Sequence, residues 1–140
     1  MSINWSTPQS LVYIPENKLV TFTAIHQAQY EQHIQVIDAG GNPIQFDLLG
    51  GGTAHFPIHG SGTTANFFTN GSGKFIMKTG MKVQFANTGG PVSKVSATNP
   101  NQFFIEGQIF GGGVLYATED GGGTDYNDTS FVVQWYATMG

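Results

Sequence analysis

Carboxylates are scarce in this chain and unevenly spread. Of nine acidic residues in 140, four fall within Glu119-Asp120-Gly121-Gly122-Gly123-Thr124-Asp125-Tyr126-Asn127-Asp128. Like charges this close repel unless water or a cation screens them. Three successive glycines let the backbone fold tightly and bring carboxylates and carbonyls to a common point. Carboxylate plus amide oxygen is the donor set of a hard cation, and flexible multidentate oxygen coordination favours Ca²⁺ over Mg²⁺. The competing reading is a solvated acidic turn between two strands, which is common chemistry for Gly/Asp-rich loops. The spacing is not that of an EF-hand. With Asp125 at the first position and Asn127 at the third, Ser130 stands where the loop needs Gly and Tyr136 where it needs Glu.

Other constellations carry less. His55 and His59 are four apart, the helical spacing of a metal pair, but Pro57 and neighbouring glycines oppose a helix. On a strand they would sit about 13 Å apart, too far for one ion. All four histidines (His26, His33, His55, His59) are therefore read as ordinary surface or interface residues. No Gly-x-Ser-x-Gly elbow is present. The acids cluster on one loop rather than across a cleft, against a paired-carboxylate glycosidase. The chain is read as a non-enzyme. Phe67-Phe68, Phe103-Phe104 and Trp135 could stack on sugars, but aromatics at strand positions are more often core or subunit interface.

The elements that would position the acidic loop follow a period of two. Val20, Phe22 and Ala24 alternate with threonines; Met81, Val83 and Phe85 alternate with Lys82 and Gln84; Ile44, Phe46 and Leu48 alternate with Gln45 and Asp47. Such alternation marks half-buried strands. Clusters such as Gly40-Gly41-Asn42-Pro43, Asn70-Gly71-Ser72-Gly73, Thr88-Gly89-Gly90-Pro91 and Gly111-Gly112-Gly113 read as turns between them. The resulting strands are 10–14, 18–26, 32–38, 43–49, 54–58, 65–69, 74–78, 81–86, 92–97, 103–109, 114–118 and 130–136. The stretch from Ala24 to Ile34 has no clear helix cap and is read as strand, loop, strand. The pattern predicts an all-β fold over 1–140, a single sandwich-like domain without repeats or linkers.

Composition closes off other classes. There are five Lys and no Arg, with a net charge of −4, which gives nucleic-acid binding little footing. No apolar run approaches the ~18 residues of a membrane helix, so no membrane insertion is expected. Without Cys, thiolate metal sites and thiol nucleophiles are excluded. Glycine at 20 of 140 is about twice the usual share of roughly 7%, while 13% aromatic content argues against disorder. The start has no basic region followed by an apolar stretch, so synthesis as a cytoplasmic protein is expected, with non-classical release to the cell surface or exterior as a route outward.

The acidic pair Glu119-Asp120 with Gly121, then Asp125-Tyr126-Asn127-Asp128, the strand Val132-Val133-Gln134-Trp135 and a terminal Gly140 resemble the end of the bacterial fucose-binding lectin II family. Val12-Tyr13-Ile14-Pro15-Glu16-Asn17, Lys18 through Val36, and Gly71-Ser72-Gly73-Lys74-Phe75 resemble its earlier strands more faintly. The resemblance implies an antiparallel two-sheet β-sandwich with Greek-key connections. It implies a calcium-dependent lectin that recognises fucose- or mannose-type monosaccharides, or glycoconjugates carrying them, through vicinal hydroxyls on one or two Ca²⁺ ions. Glu119, Asp125, Asn127, Asp128 and Gln27 would be metal ligands, joined by the Gly140 carboxylate of a neighbouring subunit in a homodimer or homotetramer built through the C-terminal region. The sugar would meet Asp120, Asp125, Asn127, Asp128, Ala28, Gln29 and the loop at Gly123.

The chain departs from the family pattern at three places. Gly123 stands where the family has a further Asp, and Gln27 stands where it has Asn. The tail Tyr136-Ala137-Thr138-Met139-Gly140 is longer and lacks the family's Pro. These departures define the alternative: a lectin-fold assembly protein whose site no longer binds calcium or sugar.

Overall fold

The computed structural model describes residues 3–28, 30–44, 47–48, 55–58, 66–121 and 123–138. Eleven strands follow one another: β1 (Gln9–Ser10), β2 (Leu19–His26), β3 (Glu31–Ile37), β4 (Asp47–Leu48), β5 (His55–Ile58), β6 (Asn66–Ile76), β7 (Lys82–Thr88), β8 (Lys94–Ala97), β9 (Asn101–Ile105), β10 (Gln108–Glu119) and β11 (Thr129–Tyr136). They form two antiparallel sheets. One has the order β1-β7-β3-β5, the other β4-β6-β2-β11-β10-β8, with β9 also paired to β10. This is the expected all-β sandwich, and the described residues contain no helix.

The core lies between the sheets and is built by the alternation read from the sequence. Val20, Phe22 and Ala24 of β2 and Phe131, Val133 and Trp135 of β11 point inward from the larger sheet. Ile34 and Val36 of β3 and Val83 and Phe85 of β7 meet them from the smaller one. Phe131 is the hub, with ring centroids 5.3 Å from Phe22 and 6.0 Å from Phe85, the latter edge-on. Such pairs add about 0.5–1.5 kcal/mol beyond area burial. Met77 joins this core, and Lys18 Nζ donates to the Ala137 carbonyl at 2.8 Å.

Several sequence-based boundaries need correction. Residues 11–14 are not strand: only Gln9–Ser10 pairs with β7, and the chain then turns. The expected strands 65–69 and 74–78 are one continuous β6. The Asn70–Gly73 segment lies within β6, where the pairing to β2 slips between Thr23 and Ile25. Glycine in a strand often marks such a bulge. The expected turn at Gly111-Gly112-Gly113 is the middle of β10. A Cβ at Gly111 would run into the Trp135 carbonyl, and one at Gly112 into the Asn101 carbonyl and the Trp135 ring. These glycines allow close backbone approach inside the sheet rather than reversing the chain. The reversal comes earlier, at Glu106 (φ 52°) and Gly107 (φ 79°), the paired positive φ values of a tight hairpin turn. The expected strand 103–109 is thus two strands joined by that turn.

The histidines also differ from expectation. His26 and His33 are buried, and His33 Nε2 sits 2.8 Å from Thr88 Oγ1 and 3.0 Å from Glu31 Oε1. Burial holds the His26 imidazole below its ordinary pKa. Residue His59 and the side chains of His55, Phe67 and Phe68 lie outside what is described.

Candidate functional site

The loop between β10 and β11 carries the acids, and β-ladder contacts pin both its ends. The Asp128 N–H donates to the Thr118 carbonyl at 3.2 Å, and the Thr129 N–H to Thr118 Oγ1 at 3.0 Å. Residues 119–128 are therefore tied together at the mouth of the last hairpin. Tyr126 adopts φ 49°, a left-handed conformation that is uncommon for an aromatic residue and characteristic of functional turns. It sits between Asp125 and Asn127.

Three carboxylates converge. One oxygen from each of Glu119, Asp120 and Asp128 lies within 4.8 Å of the other two. Glu119 is 4% exposed, Asp120 8% and Asp128 7%. Charged groups are almost never this buried unless paired or holding a metal. Hydrogen bonds fix each one. The Asp120 N–H donates to Asp128 Oδ2 at 2.6 Å. Glu119 Oε1 accepts from the Gly121 N–H at 3.1 Å and its Oε2 from the Tyr126 N–H at 3.4 Å. Burial pushes the Asp128 carboxyl above its ordinary pKa, and the charge on Asp120 adds to that, although the Asp120 N–H opposes it. Lys94 stands opposite Glu119 in the β8–β10 register but is solvent-exposed.

The remaining expected residues gather around this cluster. A pocket of about 280 Å³ is lined by Gln27, Ala28, Tyr30, Asp120, Asp125, Asn127 and Asp128. That is just below the ~300 Å³ lower end of ligand pockets and suits a single small ring. The Gln27 N–H donates to the Asp128 carbonyl at 3.0 Å, and Gln27 Oε1 accepts from Asn127 Nδ2 at 3.1 Å. The two amides thus latch the β2 end to the acidic loop. With its amide nitrogen used, Asn127 keeps Oδ1 as an acceptor, the atom type a hard cation takes. Asp125 is exposed at the pocket rim. Gly123 is also exposed, and a Cβ there would come within 3.2 Å of Glu119 Oε2 and 3.5 Å of Asp125 Oδ1. The Glu119 carboxylate already reaches the space a side chain at 123 would enter. Gln29 and Gly140 lie outside the described residues.

Two residues at the site escaped the sequence reading. Gln32, fully buried on β3, donates from Nε2 to Asp120 Oδ2 at 2.7 Å and accepts the Thr129 hydroxyl on Oε1 at 2.9 Å. It crosses from the smaller sheet to fix one of the three carboxylates. Its signal was a Gln in phase with Ile34 and Val36, a polar residue on a core-facing row. Tyr30, 40% exposed, forms one wall of the pocket. Its ring lies against Gly89 and Gly90, and a Cβ at Gly90 would collide with that ring and with the Asp120 carbonyl. The Gly89-Gly90 pair, read as a turn signal, is also the seat of an aromatic wall.

The donor set is all oxygen: three buried carboxylates, a fourth at the rim, and side-chain amides, with Lys94 the nearest lysine in sequence. Hard divalent cations take such sets, and calcium in particular accepts six to eight oxygens in flexible geometry. The residues present fit that ion.

A two-sheet sandwich with an acidic, ring-sized pocket at the end of its last hairpin is the architecture of a carbohydrate-binding lectin. Residues 12–137 match the family model described as fucose-binding lectin II, and the chain belongs to that family. Solved structures similar to it include three bacterial lectins. The Ralstonia solanacearum high-affinity mannose-binding lectin is 27% identical, with a TM-score of 0.61 over 89% of this chain and 94% of that one. The C-terminal domain of the BC2L-C lectin from Burkholderia cenocepacia is 20% identical, with a TM-score of 0.64 over 98% and 100%. The Chromobacterium violaceum lectin CV2L, in complex with α-methyl-fucoside, is 18% identical, with a TM-score of 0.60 over 89% and 94%. No curated protein sequence matches the chain.

Proposed function

We propose that this lectin binds fucose- or mannose-type monosaccharides through calcium held by the β10–β11 loop. The observation that carries the reading is the convergence of Glu119, Asp120 and Asp128, all buried, beside a ring-sized pocket. Family membership and the likeness to a mannose-binding lectin at 27% identity support it. Glu119, Asp128, Asn127 and Asp125 would supply oxygen ligands, with Gln27 holding Asn127 in place. Bound calcium would polarise two neighbouring sugar hydroxyls. The chain's own carboxylates would accept those hydroxyl protons as charge-assisted hydrogen bonds. Tyr30 would offer its ring to the apolar side of the sugar. The protein acts by binding, not catalysis: its acids sit on one loop, on one side of the pocket.

The Gly140 carboxylate would join a neighbouring subunit's site, as membership of this family implies.

The alternative, an assembly protein with a lost site, is disfavoured. Such a site would retain the desolvation cost of three buried carboxylates with only hydrogen bonds, and no counter-charge, to offset it. The test is a calorimetric titration of calcium into metal-free protein, with and without fucose or mannose. Calcium binding strengthened by sugar is expected. Heat that is silent at millimolar calcium would overturn the reading.

A further inference from the structure

One wall of the acidic pocket reaches beyond it. Tyr30 lines the pocket together with Asp120 and Asp128. Those two acids are buried, whereas Tyr30 is 40% exposed and so stands at the pocket mouth.

The ring is seated rather than loose. A Cβ at Gly89 would meet its Cδ1 and Cε1 at 3.1 Å, and one at Gly90 its Cε2 at 2.7 Å. The two glycines thus lie under opposite edges of the ring, and one face rests on bare backbone. Gly89 holds φ 113°, a conformation that glycine adopts without strain. Buried Asn87 braces this turn: its Oδ1 accepts the Gly90 N–H at 2.8 Å, and its Nδ2 donates to the Pro91 carbonyl at 2.8 Å and to Ser93 Oγ at 3.0 Å. From β3, Gln32 Nε2 donates to the Tyr30 carbonyl at 3.1 Å while it holds Asp120 Oδ2. One buried side chain therefore ties the aromatic wall to the acid. An aromatic ring fixed before binding adds contact area at little ordering cost.

A tyrosine that only covered the Gly89-Gly90 turn would be closed in by it. Here part of the ring stays open, at the rim of a pocket about the size of one sugar ring. Once a calcium-bound sugar fills that pocket, the open part of Tyr30 is left for what the sugar is attached to. The adjoining surface is neutral: residues 83–93 carry no charged side chain, and Glu31 sets its Oε1 3.0 Å from His33 Nε2. The C–H face of a neutral sugar suits such a surface.

We propose that Tyr30, seated on Gly89 and Gly90, forms a second subsite that takes the C–H face of the sugar residue linked to the calcium-bound one. The preferred ligand is then a glycoside rather than a free monosaccharide. This rests on the calcium–sugar reading and adds to it a contact that no metal ligand makes.

An aryl aglycone presents a flat apolar face whatever the linkage, and so serves as the probe. Calorimetry at saturating calcium compares methyl and p-nitrophenyl α-fucosides, and the corresponding α-mannosides. The aryl glycoside is expected to bind about two- to tenfold more tightly than its methyl counterpart. Tyr30→Phe should keep that ratio, and Tyr30→Ser should bring it to one. In the wild-type complex the nitrophenyl protons should shift upfield in the NMR spectrum, as stacking on a ring requires. A wild-type ratio of one, an unchanged ratio in Tyr30→Ser, or unshifted nitrophenyl protons would overturn the subsite. So would a set of α-linked disaccharides ending in fucose or mannose of which none binds more tightly than the methyl glycoside. Methyl glycoside binding with a ratio of one removes the subsite alone; binding of neither glycoside removes the calcium–sugar reading and the subsite with it.

Discussion

One strand, β10, connects two regions built on opposite principles. At its end, Glu119 enters a cluster of buried carboxylates fixed by backbone donors and by Gln32. At its start, Phe110 belongs to a hairpin whose large apolar side chains face solvent. Proteins ordinarily expose charge and bury hydrocarbon; here each end reverses one half of that rule. The carboxylate end is costly unless a cation compensates it, and the hairpin end is costly unless another surface covers it. A fold whose middle obeys the rule closely, with the in-out alternation of β2 and β11, carries its functional information where the rule is broken.

The most severe way to break the acidic end is Asp128→Asn. It keeps the shape and the acceptor for the Asp120 N–H while removing one charge. Calcium affinity should fall by two orders of magnitude or more, because affinity at such sites follows the number of charged ligands. The calcium-free melting temperature should stay level or rise, since a buried charge raised in pKa by desolvation is a cost to the fold. A large drop in metal-free stability with unchanged calcium affinity would make Asp128 structural.

Gln32→Ala probes the support from the opposite sheet. It leaves Asp120 Oδ2 and the Thr129 hydroxyl without their buried partner. A destabilisation of about 1–3 kcal/mol is expected, a fall of several degrees in melting temperature, together with weaker calcium binding. Loss of stability alone, with calcium affinity intact, would show that Gln32 does not position the site.

The smallest effect lies between the two ends, in the core. Tyr116 donates its hydroxyl to Tyr13 at 3.2 Å, and burial pushes the Tyr13 phenol far above its ordinary pKa. A folded pKa raised above the unfolded value stabilises below about pH 10, and that stability is lost as pH rises beyond it. Melting temperature should decline above about pH 10, and Tyr13→Phe should flatten that decline. An identical alkaline profile in the variant would remove Tyr13 from the account.

Much of this was legible in the sequence where one face of a strand is buried. β2, β7 and β11 were visible because Val20-Phe22-Ala24, Met81-Val83-Phe85 and Phe131-Val133-Trp135 each keep period two against a common core. β10 was broken in two because its glycines carry the usual signature of a turn, and only the carbonyls of Trp135 and Asn101 reveal why no side chain fits. The acidic loop stood out because charge is so scarce elsewhere. Gln32 and Tyr30 did not, because they reach the loop through the packing of one sheet on another, which local pattern does not encode. The exposure of Phe103 and Phe104 was hidden for the same reason: whether an aromatic strand is covered depends on what lies across from it.

The central claim is that the buried acids of the β10–β11 loop hold calcium for a sugar. The most direct measurement is the melting temperature of metal-free protein as calcium is added, first alone and then with fucose or mannose. Ligand at about a hundredfold excess over its dissociation constant stabilises by about 2.7 kcal/mol, a rise of roughly 8 °C for a chain of this size, and sugar should add to it only when calcium is present. A melting temperature indifferent to calcium, or one raised by sugar in its absence, would contradict the account.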